Sequence, residues 1–128
     1  MYAPNAFAER EPARLRALLA AHAFAVLVTP GEDGPEASHV PLLLDAARGP
    51  HGTLLGHLAR ANPRWQRLDG RTPALAVFAG PHAYVSPRWY GGDRNVPTWD
   101  YVAVHARGAP RRLDDEARVR DVLRRTMA

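Results

Sequence analysis

Apolar residues follow two different rhythms along this chain. Over residues 9–21, Leu15, Leu18, Leu19 and then His22 recur at three- and four-residue spacing, with Arg14 and Arg16 off that stripe. That is the period of a helix with one inward face. Pro12 suits its first turn, where a missing N–H costs nothing. From residue 24 the rhythm changes to short apolar runs. Residues 24–29, 36–45 and 53–58 are three such runs, separated by Pro30-Gly-Glu-Asp-Gly-Pro35 and by a Gly/Pro loop over 46–52. They predict an antiparallel meander, with Pro41 marking an edge or a bulge. Asn62-Pro63 predicts a helix start, Asn as N-cap and Pro at the first position, running through Trp65 and Leu68 to Gly70. Residues 73–79 and 82–86 read as two strands broken by Gly80-Pro81, and 86–98 as an irregular excursion with two prolines and two adjacent glycines. Residues 101–107 alternate as a strand. Residues 114–127 predict a terminal helix, acidic in its first turn and with Arg124 and Arg125 in its last, matching the macrodipole. About six strands with peripheral helices predict a mainly β fold, a small β-barrel. The expectation is a single domain over residues 1–128.

Composition narrows the chemistry. The 128 residues are 46% hydrophobic and 23% charged, which is ordinary for a packed chain. All 17 basic residues are Arg, against 13 acidic ones, so the net charge is only +4. The pI of about 10.3 reflects the high ionisation of guanidinium more than a basic surface. There is no cysteine, which excludes disulfides, thiolate catalysis, Cys-ligated zinc and iron–sulfur clusters. No apolar run approaches the roughly 18 residues of a membrane span, and residues 1–12 carry no apolar signal-peptide core. A cytoplasmic location is the expectation.

Three features are candidates for chemistry. The six histidines show no metal-binding spacing, so no metal site is expected. Ser38 and His39 are adjacent, and on a strand they point to opposite faces, which disqualifies them as a nucleophile–base pair. The segment Gly56-His-Leu-Ala-Arg-Ala-Asn-Pro63 is more informative. A strand ends, Arg60 supplies a forked donor, and Asn62 opens a helix whose free N–H groups favour an anion, so the segment reads either as a phosphate cradle or as a capped helix with a solvated Arg. The third feature is aromatic: residues 78–90 and 96–101 hold Phe78, Tyr84, Trp89, Tyr90, Trp99 and Tyr101 among turn residues. Aromatics so placed suit a planar ligand, a subunit contact or plugs for the open ends of a barrel.

Five motifs in order and spacing carry a resemblance. They are Met1-Tyr-x-Pro with Phe7, Ala37-Ser-His-Val-Pro-Leu-Leu-Leu-Asp45, Gly52-Thr-Leu-Leu-Gly-His-Leu-Ala-Arg-Ala-Asn-Pro-Arg-Trp65, Ala76-Val-Phe-x-Gly-Pro-His-Ala-Tyr-Val-Ser-Pro-x-Trp-Tyr90, and Val96-Pro-Thr-Trp-x-Tyr101. With these motifs the sequence resembles the PaiB family, FMN-binding negative transcriptional regulators, over nearly its whole length. The resemblance implies an FMN-binding split barrel, similar to pyridoxamine phosphate oxidase-like flavoproteins, and a homodimer with FMN at the interface. It implies that Arg60 and Asn62 hold the FMN phosphate. Ser38, His39 and Val40, with Leu55 to Leu58 (His57 among them) and Ala59, would lie along the isoalloxazine and ribityl chain. Arg94, Thr98 and Trp99 would approach from the irregular loop of a partner subunit. Flavin-dependent redox activity, negative regulation through DNA, or both would follow. The alternatives are a regulator without flavin chemistry and a haem-binding protein. The residues identify no catalytic acid or base. Two departures stand out: Asp100 replaces the Asn of a Trp-Asn-Tyr triplet, and the chain is short at its C-terminus relative to the family.

Overall fold

A computed structural model describes residues 1–91 and 95–127. Five strands make one antiparallel sheet: β1 (Phe24–Pro30), β2 (Pro35–Asp45), β3 (Thr53–Gly56), β4 (Ala74–Val85) and β5 (Thr98–Gly108), in the order β3-β2-β1-β4-β5. Two helices, α1 (Pro12–Ala21) and α2 (Glu116–Thr126), pack against it. The sheet is mainly β, antiparallel and not closed on itself, as a split barrel with peripheral helices requires. Short 3₁₀ turns occupy Asn5–Phe7, Pro63–Arg67 and Pro87–Trp89.

Register assigns the faces. Ala25 opposes Val40, Leu27 opposes both Ser38 and Ala76, and Phe78 opposes Val104. These residues share one face, and on it Ala25, Val40, Leu42, Ala76 and Phe78 form the buried core, joined by Leu19 of α1 and by Leu27, Leu54, Leu58, Val104 and Ala106. Phe78 is wholly buried. We call this the inner face. α1 lies across it, touching β2 and β5 and closing the side that the open sheet leaves. α2 takes the other face at the β2–β3 end. Its Val122 is buried near Leu55, which alternates away from Leu54 and the core.

Two predicted strands prove to be one. Gly80-Pro81 does not end the strand; it forms a bulge, because three steps along β4 from Ala79 to His82 match two along β5 from Ala103 to Tyr101. The missing Cβ of Gly80 permits the bend, since a Cβ there would stand 3.2 Å from the Val102 carbonyl oxygen. β5 likewise starts earlier than the alternation suggests. Thr98 and Trp99 are strand residues, paired with Val85 and Tyr84. The predicted strand over 53–58 stops at Gly56.

The loop before β4 is held by Asp69. Its carboxylate accepts from the Thr72 amide at 2.7 Å, the Arg71 amide at 2.8 Å and the Thr72 hydroxyl at 2.9 Å. Those donors, the Thr72 amide foremost, lower its pKa to about 2. A carboxylate held below its ordinary 3.8 stabilises the fold above that pH, and the contribution is lost as pH falls through 2. Asp69→Asn should therefore lower stability at pH 7. Its chemical-denaturation midpoint should also change less between pH 4 and pH 2 than that of the native protein.

Candidate functional site

The candidate site forms where β3 leaves β2. β3 pairs only with residues 42–45 of β2. Leu42 donates its N–H to the Ala23 carbonyl at 2.8 Å, on the β1 side. Alternate residues of an antiparallel strand turn their polar groups to the same neighbour. His39 therefore turns its N–H and C=O to the other edge, beyond the reach of β3. Gly56 allows the departure: a Cβ there would meet Leu42 Cδ2 at 2.6 Å and the Pro41 carbonyl oxygen at 2.7 Å.

The chain then doubles back beside that edge. The Asn62 amide donates to the Ala59 carbonyl at 2.9 Å, and Asn62 Nδ2 donates to Ser38 Oγ at 3.3 Å. Ser38 and Asn62, twenty-four residues apart in sequence, are thus joined. Trp65 Nε1 donates to the Arg60 carbonyl at 3.1 Å, and the Arg112 guanidinium lies 5.2 Å over the Trp65 ring. Arg64 is paired with Glu36, and Arg67 with Glu32 at 3.3 Å. Arg60 is exposed and enters no ion pair among the described residues.

The expected helix over 62–70 is a five-residue 3₁₀ turn, Pro63–Arg67. Asn62 is its cap, as its sequence position predicts, and accepts from the Arg64 amide at 3.1 Å. One turn has almost no macrodipole, and this amide is already satisfied. Attraction for an anion therefore rests on Arg60, not on a helix end.

The remaining candidate residues divide. Val40 is buried in the core, and its backbone polar groups, like those of Leu42, turn to β1, where it opposes Ala25. Leu58 is half-buried against that core, and Ala59 is exposed at the turn. His39 points to the outer face and stacks on Phe24, ring centroids 5.9 Å apart. His57 Nδ1 lies 3.2 Å from Thr126 Oγ1, tying the start of the turn to the last residue of α2. That hydroxyl is also 3.0 Å from the Val122 and Leu123 carbonyls. Thr98 and Trp99 sit on β5, with β1 and β4 between them and β2, so one copy does not bring them to Arg60. Arg94 lies outside the described residues.

Sequence reading missed the supporting contacts of Glu36, Phe24, Arg112 and Thr126. Only Trp65, five residues beyond Arg60 in its motif, carried a local signal. Two cavities of about 320 and 300 Å³ lie away from the site: one under α2 by Asp45, Leu55, Asp121 and Val122, the other at Val28, Leu75 and Arg107. The candidate site is an edge with one wall, which suits a ligand held between two surfaces.

The donor set fits FMN. A free guanidinium suits a phosphate dianion, and an unpaired strand edge suits the polar rim of a flavin ring. Comparison with known proteins agrees. The family described as "Putative FMN-binding domain" matches residues 1–128. The chain is 34% identical over 116 residues to the protease synthase and sporulation protein PAI 2 of Bacillus subtilis, covering 91% of this chain and 55% of that protein. It is 38% identical over 85 residues to an uncharacterized protein of Saccharomyces cerevisiae, covering 62% of this chain and 50% of that one. An uncharacterized protein of Emericella nidulans is 33% identical over 99 residues, 57% of this chain and 39% of its own length. The chain thus spans about half the length or less of these curated relatives. No helix among the described residues is long and apolar enough to cross a membrane. Matched along its whole length by the family profile, and carrying a donor set that suits a flavin phosphate, this chain belongs to the PaiB family of FMN-binding domains.

Proposed function

We propose that this chain binds FMN between two copies of itself and serves as a flavin-dependent redox or regulatory protein. The observation that carries the reading is Arg60, without an ion pair among the described residues, beside an open β2 edge, with Asn62 anchored to Ser38. Arg60 would hold the phosphate, and Asn62 would hold the turn that presents it. The backbone of His39 would meet the polar rim of the ring, while His57, Leu58 and Ala59 would line the ribityl chain. Thr98 and Trp99, remote from the site in their own copy, would reach it from the other. When bound, FMN supplies one- and two-electron redox chemistry, and the chain supplies position and charge. The absence of cysteine suits a reducing cytoplasm.

The Bacillus relative's name connects it with protease synthesis and sporulation. A regulatory role here would work through the flavin-bound pair. On α2, Arg120 pairs with Glu116 and both Arg124 and Arg125 pair with Asp121, which leaves Arg118 as its one arginine outside an ion pair among the described residues and gives little support to direct DNA reading.

Titration of purified protein with FMN, followed by flavin absorbance and fluorescence quenching, tests the reading. Saturation at one FMN per chain, with FMN binding more tightly than riboflavin, is the expected result. No binding of either overturns it. A haem spectrum in place of flavin binding, abolished by a single His→Ala change, would install the haem alternative.

A further inference from the structure

The outer face of the sheet is left uncovered over most of β1, β4 and β5. α1 lies on the inner face, and α2 covers only the β2–β3 end. Across the open part run His39, Val26, Val77 and His105 in one cross-strand row, and Val28, Leu75 and Arg107 in the next. Beyond the bulge, His82 opposes Tyr101 and Tyr84 opposes Trp99. Trp99 lies 5.6 Å from the His82 ring and 6.1 Å from that of Tyr84. This two-stranded ribbon extends past β1, which reaches only residues 75–77 of β4. Its aromatic side continues the outer face, because Trp99, Tyr101, Ala103 and His105 alternate together along β5.

A second copy is the occupant this face suits. Phe24, Tyr84, Trp99 and Tyr101 are 46 to 68% exposed. Together they offer roughly 500 Å² of contact area. The half-buried Val26, Val28, Leu75 and Val77 bring the patch toward the about 800 Å² per partner of a standard interface. His105 Nδ1 is buried with no hydrogen-bond partner among the described residues.

Charge on the face is unusual. Among the described residues, this open part carries no carboxylate. Glu36 and Asp100 alternate to the opposite side, and Asp45 lies beneath α2. Its titratable and charged groups are His39, His82, His105, Arg107, Tyr84 and Tyr101. In a two-fold pairing the opposing surface is the same face, so among the described residues it brings no carboxylate either. An imidazolium sealed there would lose its water, gain no counter-ion and lie near Arg107. Imidazole is the side chain that ordinarily changes charge between pH 5 and 8.

We infer that two copies pair through this outer face, and that mild acid separates them by protonating His39, His82 and His105. The inference rests on the pairing proposed above and adds its surface and its regulation. Acidification would release FMN with the partner copy, because each site would lose its second wall.

Sedimentation velocity from pH 8 to pH 5.5, with circular dichroism to verify folding, tests it. The expected result is a dimer at pH 8 whose dissociation constant rises about a hundredfold or more by pH 5.5. The triple variant His39→Gln, His82→Gln, His105→Gln should stay dimeric at pH 5.5, and His51→Gln in the exposed loop should behave as the native chain. If the triple variant folds poorly, His82→Gln alone, on the exposed ribbon, should shift the dissociation to lower pH. A native dimer that persists at pH 5.5 overturns the acid response and leaves the pairing standing. Histidine variants that dissociate like the native protein overturn the role of these residues. A monomer at pH 8 overturns the pairing itself, and FMN titration at that pH shows separately whether flavin binding survives.

Discussion

Arg60→Ala weakens FMN binding by about 30- to 100-fold while leaving riboflavin binding nearly unchanged. The expectation follows from where the cation sits. Arg64 and Arg67 are occupied by Glu36 and Glu32, so they have little charge to offer a ligand. Arg60 has no such partner among the described residues, and its backbone is held in place by the Trp65 indole at 3.1 Å. A forked, charge-assisted contact to phosphate contributes about 2–3 kcal/mol, and that gives the stated fold-change. Riboflavin lacks the phosphate, so its affinity reports on the ring and ribityl contacts alone. Fluorescence titration of both ligands separates the two effects. Equal losses for both would show that the substitution had disturbed the turn. An unchanged FMN affinity would remove Arg60 from the site.

Phe78→Ala lowers the unfolding free energy by about 3–5 kcal/mol, the largest single-residue effect expected in this chain. Among the described residues, Phe78 is the one large side chain that is completely buried. It packs with Ala25, Val40, Leu42 and Ala76 on the inner face, with Leu19, Leu27 and Val104 against them. Neighbours held by the sheet and by α1 relax only partly into the space of a ring, so a cavity remains. A domain of this size commonly holds only about 5–15 kcal/mol in total. The melting temperature should fall by about 10–20 °C. Phe78→Leu keeps most of the volume and should cost under about 2 kcal/mol. Urea denaturation with an unchanged m-value would confirm that the native state has lost packing and that the unfolded state is the same. The loss bears on the site as well, because Val40 of that core lies two residues from Ser38.

Helix positions were legible because their signals are local. Pro12 and Asn62 mark starts where the structure has starts, and the acidic Asp115 caps α2 by accepting from the Arg118 amide. The β1–β2 turn was legible for the same reason: Gly34 takes φ 125°, a conformation that glycine adopts cheaply. The strand boundaries near residue 80 were not. Gly80-Pro81 carries the same local chemistry whether it ends a strand or bulges within one. The choice depends on β5 lying alongside, with Val102 close enough that a Cβ at position 80 would crowd its carbonyl oxygen at 3.2 Å. Likewise Thr98 and Trp99 looked like loop residues, because the partners that make them a strand, Val85 and Tyr84, come earlier in the chain.

For the site, residue types and spacing alone identified Arg60 as the anion-binding candidate and Asn62 as a cap. They also identified the family, whose motifs run in order from Met1 to Tyr101. Tertiary structure alone decided that Ser38 meets Asn62, that Arg64 is neutralised by Glu36 while Arg60 is not, and that His39 faces away from the core toward Phe24. The division has a physical cause. Caps, turns and alternation are settled within a few residues. Which cation keeps its charge, and which strand edge stays open, depends on chain segments brought together only when the sheet forms.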